Sequence, residues 1–243
     1  MGFEYKKNSV LVPAWRTDIL HEADLIEDIA IAYGYDNFDP EIPKISTIGE
    51  ENFTEKIKKK ISEILVGLNM LEVSNYHLTR KEDLSYKMDI PEKREREFVE
   101  LKDSKTDYTI LRNNLAHYLL KNFSENVDSE YPQEIFEIGR IFENKEEIIE
   151  TEHLALAITP GNFTRTKQIL EYFSRMLGLE LELKETEDFP YHFIDGRVAE
   201  VFLNNKRIGY IGEIHPKILR NWKLKTPVAL FEISLEEIFE KLM

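Results

Sequence analysis

The chain has 243 residues, 46 of them Asp or Glu against 32 Lys or Arg, for a formal net charge of -14; a surface that negative disfavours autonomous binding to a phosphate backbone. Cysteine is absent, which excludes disulfides, thiol nucleophiles and thiolate metal sites and leaves oxygen or imidazole as the donors for any metal. The balance of 42% hydrophobic and 32% charged residues is that of a folded globular chain, long enough for one large domain with a small appendage.

The pattern opens on a short strand, Val10 to Pro13, followed by an irregular Trp15-Arg16-Thr17-Asp18. A helix is predicted from His21 to Tyr33, stopped by Gly34, with Leu25, Ile26, Ile29, Ala30 and Tyr33 on one face and Asp24, Glu27 and Asp28 on the other. The stretch 36–52 holds Pro40, Pro43 and Gly49 and no sustained period, so a connection between two units is expected there. The domains are therefore drawn as 1–44 and 45–243.

After Asn52-Phe53-Thr54 a second helix carries the stripe Ile57, Ile61, Ile64, Leu65 and Leu68, and Lys58, Lys59 and Lys60 lie off that stripe as a solvated face. A strand is expected at Glu72 to Leu78, a charged loop or partial helix at Thr79 to Glu95, and a further strand at Glu97 to Leu101. Leu111, Leu115, Leu119 and Phe123 predict a helix entered from Asp107-Tyr108-Thr109.

The period then shortens. Glu134 to Phe142 and Leu154 to Ile158 fit adjacent antiparallel strands. Thr164 or Thr166 could cap a helix bearing Ile169, Leu170, Phe173 and Leu177, ended by Gly178. Arg197 to Leu203 and Arg207 to Ile214 flank the turn Asn204-Asn205-Lys206. Pro216 opens a short helix, Val228 to Ile233 is a last strand, and Ser234 to Glu237 reads as a capping box for a terminal helix. Without regular strand-helix-strand alternation, the pattern favours an α+β fold: an antiparallel sheet with helices packed on it.

Few groupings suggest chemistry. Asp24, Glu27 and Asp28 stand at i, i+3 and i+4, and Asp18 precedes the same helix. Carboxylates so crowded suit a hard divalent cation such as magnesium, and they equally suit a solvated acidic face helped by the helix dipole. No Gly-x-Ser-x-Gly elbow and no histidine pair at zinc spacing occurs, and His77 or His117 reads as a surface or core residue. Gly209 and Gly212 fall inside a strand pattern, where close packing or a bulge accounts for them. No apolar stretch approaches the roughly 20 residues of a membrane span, and the first residues form no hydrophobic signal segment, so no membrane association and a cytoplasmic location are expected.

The run from Val10 through Trp15-Arg16-Thr17-Asp18 and Ile26-Glu27-Asp28 to Gly34-Tyr35-Asp36 resembles the metal-binding module of phenylalanyl-tRNA synthetase beta subunits of archaeal and eukaryotic type. Phe136-Glu137-Ile138-Gly139-Arg140, Gly209 to Pro216 and Phe231-Glu232-Ile233 are similar to strands of the synthetase-like core that follows it in that family. The resemblance implies a class II synthetase-like sheet preceded by a partial small module, forming the C-terminal part of the subunit. It also implies magnesium at Asp18, Asp24, Glu27 and Asp28, pairing with an alpha subunit in an alpha2-beta2 heterotetramer through a large interface that includes the Ile57 to Leu68 helix, and a share in charging tRNA-Phe. In the family the alpha subunit makes the adenylate from ATP and phenylalanine. Here the last strand is followed by neither a Gly-rich helix nor an arginine, and Arg140 alone stands where a phosphate contact could be imagined, so no catalytic and no nucleotide-binding residue is expected. The competing expectations are a free-standing class II paralogue that activates another carboxylate, and an interaction domain that binds no metal.

Overall fold

The structure, a computed structural model, describes residues 1–44 and 49–243. The chain forms two compact units, Met1–Glu50 and Glu51–Met243; the boundary expected after residue 44 runs into residues 45–48, outside the described ones.

The first unit holds a hairpin, β1 (Glu4–Lys6) and β2 (Ser9–Leu11), and helix α1 (Glu22–Tyr33). Lys7 and Asn8 both take positive φ, 50° and 65°, the conformation that lets two residues reverse a right-twisted ribbon. The predicted strand is thus the second arm of a hairpin whose first arm, Glu4-Tyr5-Lys6, carries too little pattern to be read. Helix α1 starts one residue later than expected and ends as expected, with Gly34 at φ 95°. None of its residues is buried, and on its apolar face Ile26, Ile29 and Tyr33 are all exposed.

The second unit runs α2 (Phe53–Val66), β3 (Leu71–Glu72), β4 (Leu78–Arg80), α3 (Lys81–Leu84), β5 (Tyr108–Leu111), α4 (Ala116–Glu125), β6 (Gln133–Asn144) and β7 (Ile148–Thr159). It continues with α5 (Phe163–Leu177), β8 (Leu181–Glu185), β9 (Phe193–Leu203), β10 (Lys206–Ile214), α6 (Pro216–Asn221), β11 (Ala229–Ser234) and α7 (Glu236–Leu242). Seven strands make one sheet in the order β3-β6-β7-β11-β10-β9-β8. Every neighbouring pair is antiparallel except β3 with β6. Strands β4 and β5 pair separately.

Alternation along the strands decides which layer each side chain joins. Phe136, Leu156, Ile158, Val201, Ile211 and Phe231 enter one buried cluster with residues of α2, α5 and α7. Ile135, Ile141, Ala155, Ala157, Val198 and Leu230 face the other way, into a cluster with residues of α4 and α6. Both faces of the sheet are therefore covered.

Several expectations change. The strand drawn at 72–78 is only Leu71–Glu72 plus a separate Leu78–Arg80, because the amide of Asn75 and the carbonyls of Asn75 and Tyr76 bind side chains rather than a neighbouring strand. Leu111 ends β5 and is not the first turn of a helix; α4 begins at Ala116. The segment 97–101 contributes an isolated bridge, Glu100 with Ile110. Asn162, not Thr164 or Thr166, caps α5 through its side chain to the Arg165 amide at 2.8 Å; Thr166 instead donates its hydroxyl to the Asn162 carbonyl. The capping box at Ser234 does not form, since Leu235 is the N-cap of α7 and the Glu237 carboxylate pairs with Lys206, leaving Ser234 Oγ to accept from the Glu236 amide at 3.4 Å.

Candidate functional site

In the first unit, the chain turns after β2, with the Arg16 amide donating to the Pro13 carbonyl, and this brings the Arg16 side chain over the start of α1. Its guanidinium, 16% exposed, donates from Nε and Nη2 to Asp18 at 2.9 and 2.7 Å and from Nη1 to Asp28 at 2.7 Å. The Phe3 ring lies against it, 5.1 Å from centroid to guanidinium carbon. Hydrogen bonding to Asp18 and then to Asp28 raises the Arg16 pKa, and the same contact holds Asp18 below the usual carboxylate range.

Asp24 is used differently. Its carboxylate accepts from the His21 and Leu20 amides at 2.8 and 2.7 Å, closing a capping box with His21, and those amides lower its pKa. Glu27 is exposed. The four predicted ligands thus share one short stretch but do not converge. Among the described residues no three His, Asp or Glu side chains gather as metal ligands would. The oxygen donors suit magnesium in kind, but their arrangement does not fit it while Arg16 bridges Asp18 and Asp28.

In the second unit, the tripeptide Phe-Glu-Ile occurs in β6 and again in β11, and each places its glutamate on the sheet face covered by α4. Glu137 and Glu232 are both in register with Ala155 of the intervening β7, so two carboxylates flank one small residue. Each is fully engaged. Glu137 accepts from Arg112 Nη1 at 2.6 Å and from the amide and side chain of Asn75 at 3.1 and 2.7 Å. Glu232 accepts from the amides of Leu115 and Ala116 at the start of α4, at 3.0 and 2.9 Å, with His153 Nδ1 3.1 Å away. Burial pushes the Glu232 carboxyl upward, but the bond to His153 and the two amides outweigh it and leave the pKa below the ordinary value.

Gly139, beside Glu137, leaves room for this arrangement: a Cβ there would lie 2.3 Å from Arg112 Nη2. His117 is buried between Asn114 and Thr79, and burial takes its pKa down to about 3. Arg140, the residue considered for a phosphate contact, is paired with Glu150 and Glu152 at 2.7 and 3.1 Å. Sequence reading missed Arg112, Glu137 and Glu232. The available signal was a glutamate set between Phe and Ile within a strand, twice.

A cleft of about 820 Å³ adjoins this network at Asn75 and is lined also by Leu68, Leu71, Val73, Phe123, Ile135 and Arg165.

Comparison with known proteins follows this division of the chain. The family model of the phenylalanyl tRNA synthetase beta chain CLM domain matches residues 39–235, and that of the tRNA synthetase B5 domain matches residues 1–35. The phenylalanine-tRNA ligase beta subunit of Pyrococcus abyssi is 40% identical over 241 residues, covering 96% of this chain and 42% of the relative. Those of Thermococcus sibiricus and Archaeoglobus fulgidus are 38% and 37% identical, covering 99% and 98% of this chain and 43% of each relative. The chain thus spans less than half the length of these relatives. Among solved structures, a pyrrolysyl tRNA synthetase of Desulfitobacterium hafniense superposes with a TM-score of 0.64 at 18% identity, covering 77% of this chain and 68% of that one, a likeness of fold. The sheet is therefore class II synthetase-like, and the chain belongs to the phenylalanyl tRNA synthetase beta chain family.

Proposed function

We propose that this chain is part of a phenylalanine-tRNA ligase beta subunit that supports the charging of tRNA-Phe without forming the adenylate itself. The observation that carries the reading is the sheet: both faces are packed, and the two in-register glutamates are spent on Arg112 and on the start of α4. Such a sheet serves as a scaffold, and the two glutamates at its centre are held by other groups rather than left to a nucleotide.

The contact with an alpha subunit needs relocating. Ile61 and Leu65 of α2 are buried in the unit's own core, with Ile57, Ile64 and Leu68 packed against it, so the stripe expected to serve the interface is already used. Val66 at the end of α2, Leu71 on β3 and Tyr76 beyond it remain exposed, and the partner contact is assigned to these apolar side chains. Magnesium at Asp18, Asp24, Glu27 and Asp28 belongs to the same reading and requires that Arg16 release Asp18 and Asp28. An alpha2-beta2 assembly in the cytoplasm completes it; no described helix is long and apolar enough to cross a membrane.

Co-purification of this chain with the alpha subunit from the same source, with and without magnesium, tests the proposal. Stable pairing that weakens in Leu71→Asp supports it. Failure to pair, together with amino-acid-dependent pyrophosphate exchange by the isolated chain, would instead identify a free-standing paralogue.

A further inference from the structure

The three short contacts of Arg16 set a condition on the metal reading. Asp18 gives both of its oxygens to the guanidinium fork, and Asp28 gives Oδ2. A guanidinium stays charged at any accessible pH, so a cation can reach these oxygens only by moving Arg16 away. Sharing them would leave two cations within a few ångströms, both drawing on the same lone pairs.

The other two carboxylates do not compensate. Asp24 is turned toward the Leu20 and His21 amides, and Glu27 alone is a single ligand. From this geometry we infer that Arg16 and a divalent cation are mutually exclusive counter-ions of Asp18 and Asp28, so this group takes up magnesium only when Arg16 is drawn off. The inference rests on the magnesium reading proposed above. Arg16 is here a gating residue: while engaged, it also ties the turn at residues 13–18 to the second turn of α1.

The test is calorimetric titration of the whole 243-residue chain with magnesium chloride, comparing the native sequence with Arg16→Ala, Arg16→Gln, and Arg16→Ala combined with Asp18→Asn and Asp28→Asn. Both single variants are expected to bind magnesium at least about tenfold more tightly than the native chain, and the triple variant is expected to lose that gain. A second readout needs no variant: the Arg16 Nε–H resonance of the native chain is expected to move toward its free position as magnesium saturates. Equal affinity in native chain and single variants, still abolished by Asp18→Asn with Asp28→Asn and with the Nε–H resonance unmoved, would overturn the exclusion and leave the magnesium reading standing. Absence of any Asp18- and Asp28-dependent binding in all chains would overturn both.

Discussion

Arg112 and its partner Glu137 are the most enclosed charges among the described residues of the second unit, each 1% exposed; Arg112 is also tied to the backbone. Its Nε donates to the Arg140 carbonyl at 2.7 Å and its own carbonyl accepts from the Phe142 amide at 2.8 Å, closing the edge of β6 that the two-residue β3 leaves uncovered. Removing one partner of a buried pair strands the other charge, so Glu137→Leu is expected to cost about 3–5 kcal/mol in urea unfolding. Arg140→Ala, which breaks only exposed pairs, should cost less than about 1 kcal/mol. Matching losses in the two variants would refute the role given to Arg112. Histidines set the pH dependence at this scale. His117 and His192 are driven by burial from 6.5 down to about 3 and about 4. A group that binds its proton more readily unfolded contributes stability that is lost as pH falls below its unfolded pKa. The urea midpoint is therefore expected to drop from pH 7 to pH 5. In His192→Gln the slope over that range should shrink by up to about 1.4 kcal/mol per pH unit, and an unchanged slope would count against a buried neutral His192.

Elements of this fold depend on close backbone approach at defined glycines. A Cβ on Gly209 would come within 2.0 Å of the Glu232 carbonyl oxygen, beside the register shift between Arg207 and Gly209 in the pairing of β10 with β9. Two adjoining strands would have to separate to admit a methyl group, so Gly209→Ala is expected to destabilise by about 3 kcal/mol or more. Gly178→Ala, where φ is 69° but nothing lies within 4 Å, should cost only the backbone strain, about 1 kcal/mol. Thermal unfolding of the two variants side by side checks the difference. The hairpin turn at Asn204-Asn205 was readable because both residues tolerate positive φ, here 51° and 63°.

At the scale of the molecule, the two units differ in what supports them. The second has its own two-layered core, so residues 51–243 alone are expected to unfold in one cooperative transition. In the first, the 12-residue α1 buries no side chain, and helices of that length are marginal in water. A peptide of residues 1–50 is expected to show weak helical circular dichroism; full helicity would mean that the unit stabilises itself.

What the sequence determined by itself was local: the start and stop of α1, the openings of α2 and α6, the β6 strand with the second half of β7, the hairpin of β9 and β10, and the glycines reserved for close packing. Period, capping residues and turn chemistry act over a few neighbours, so they survive in a single line of residues. The family resemblance was legible for the same reason, since it rests on contiguous runs such as Trp15 to Asp28 and Phe136 to Arg140. Tertiary structure alone decided which charges meet. Arg112 reaches Glu137 across 25 positions and the start of α4 reaches Glu232 across more than 100, and no local rule couples residues so far apart. Even within α1, spacing put three carboxylates on one helix face; it was the turn before the helix that set the Arg16 guanidinium against Asp18 and, of those three, Asp28 alone.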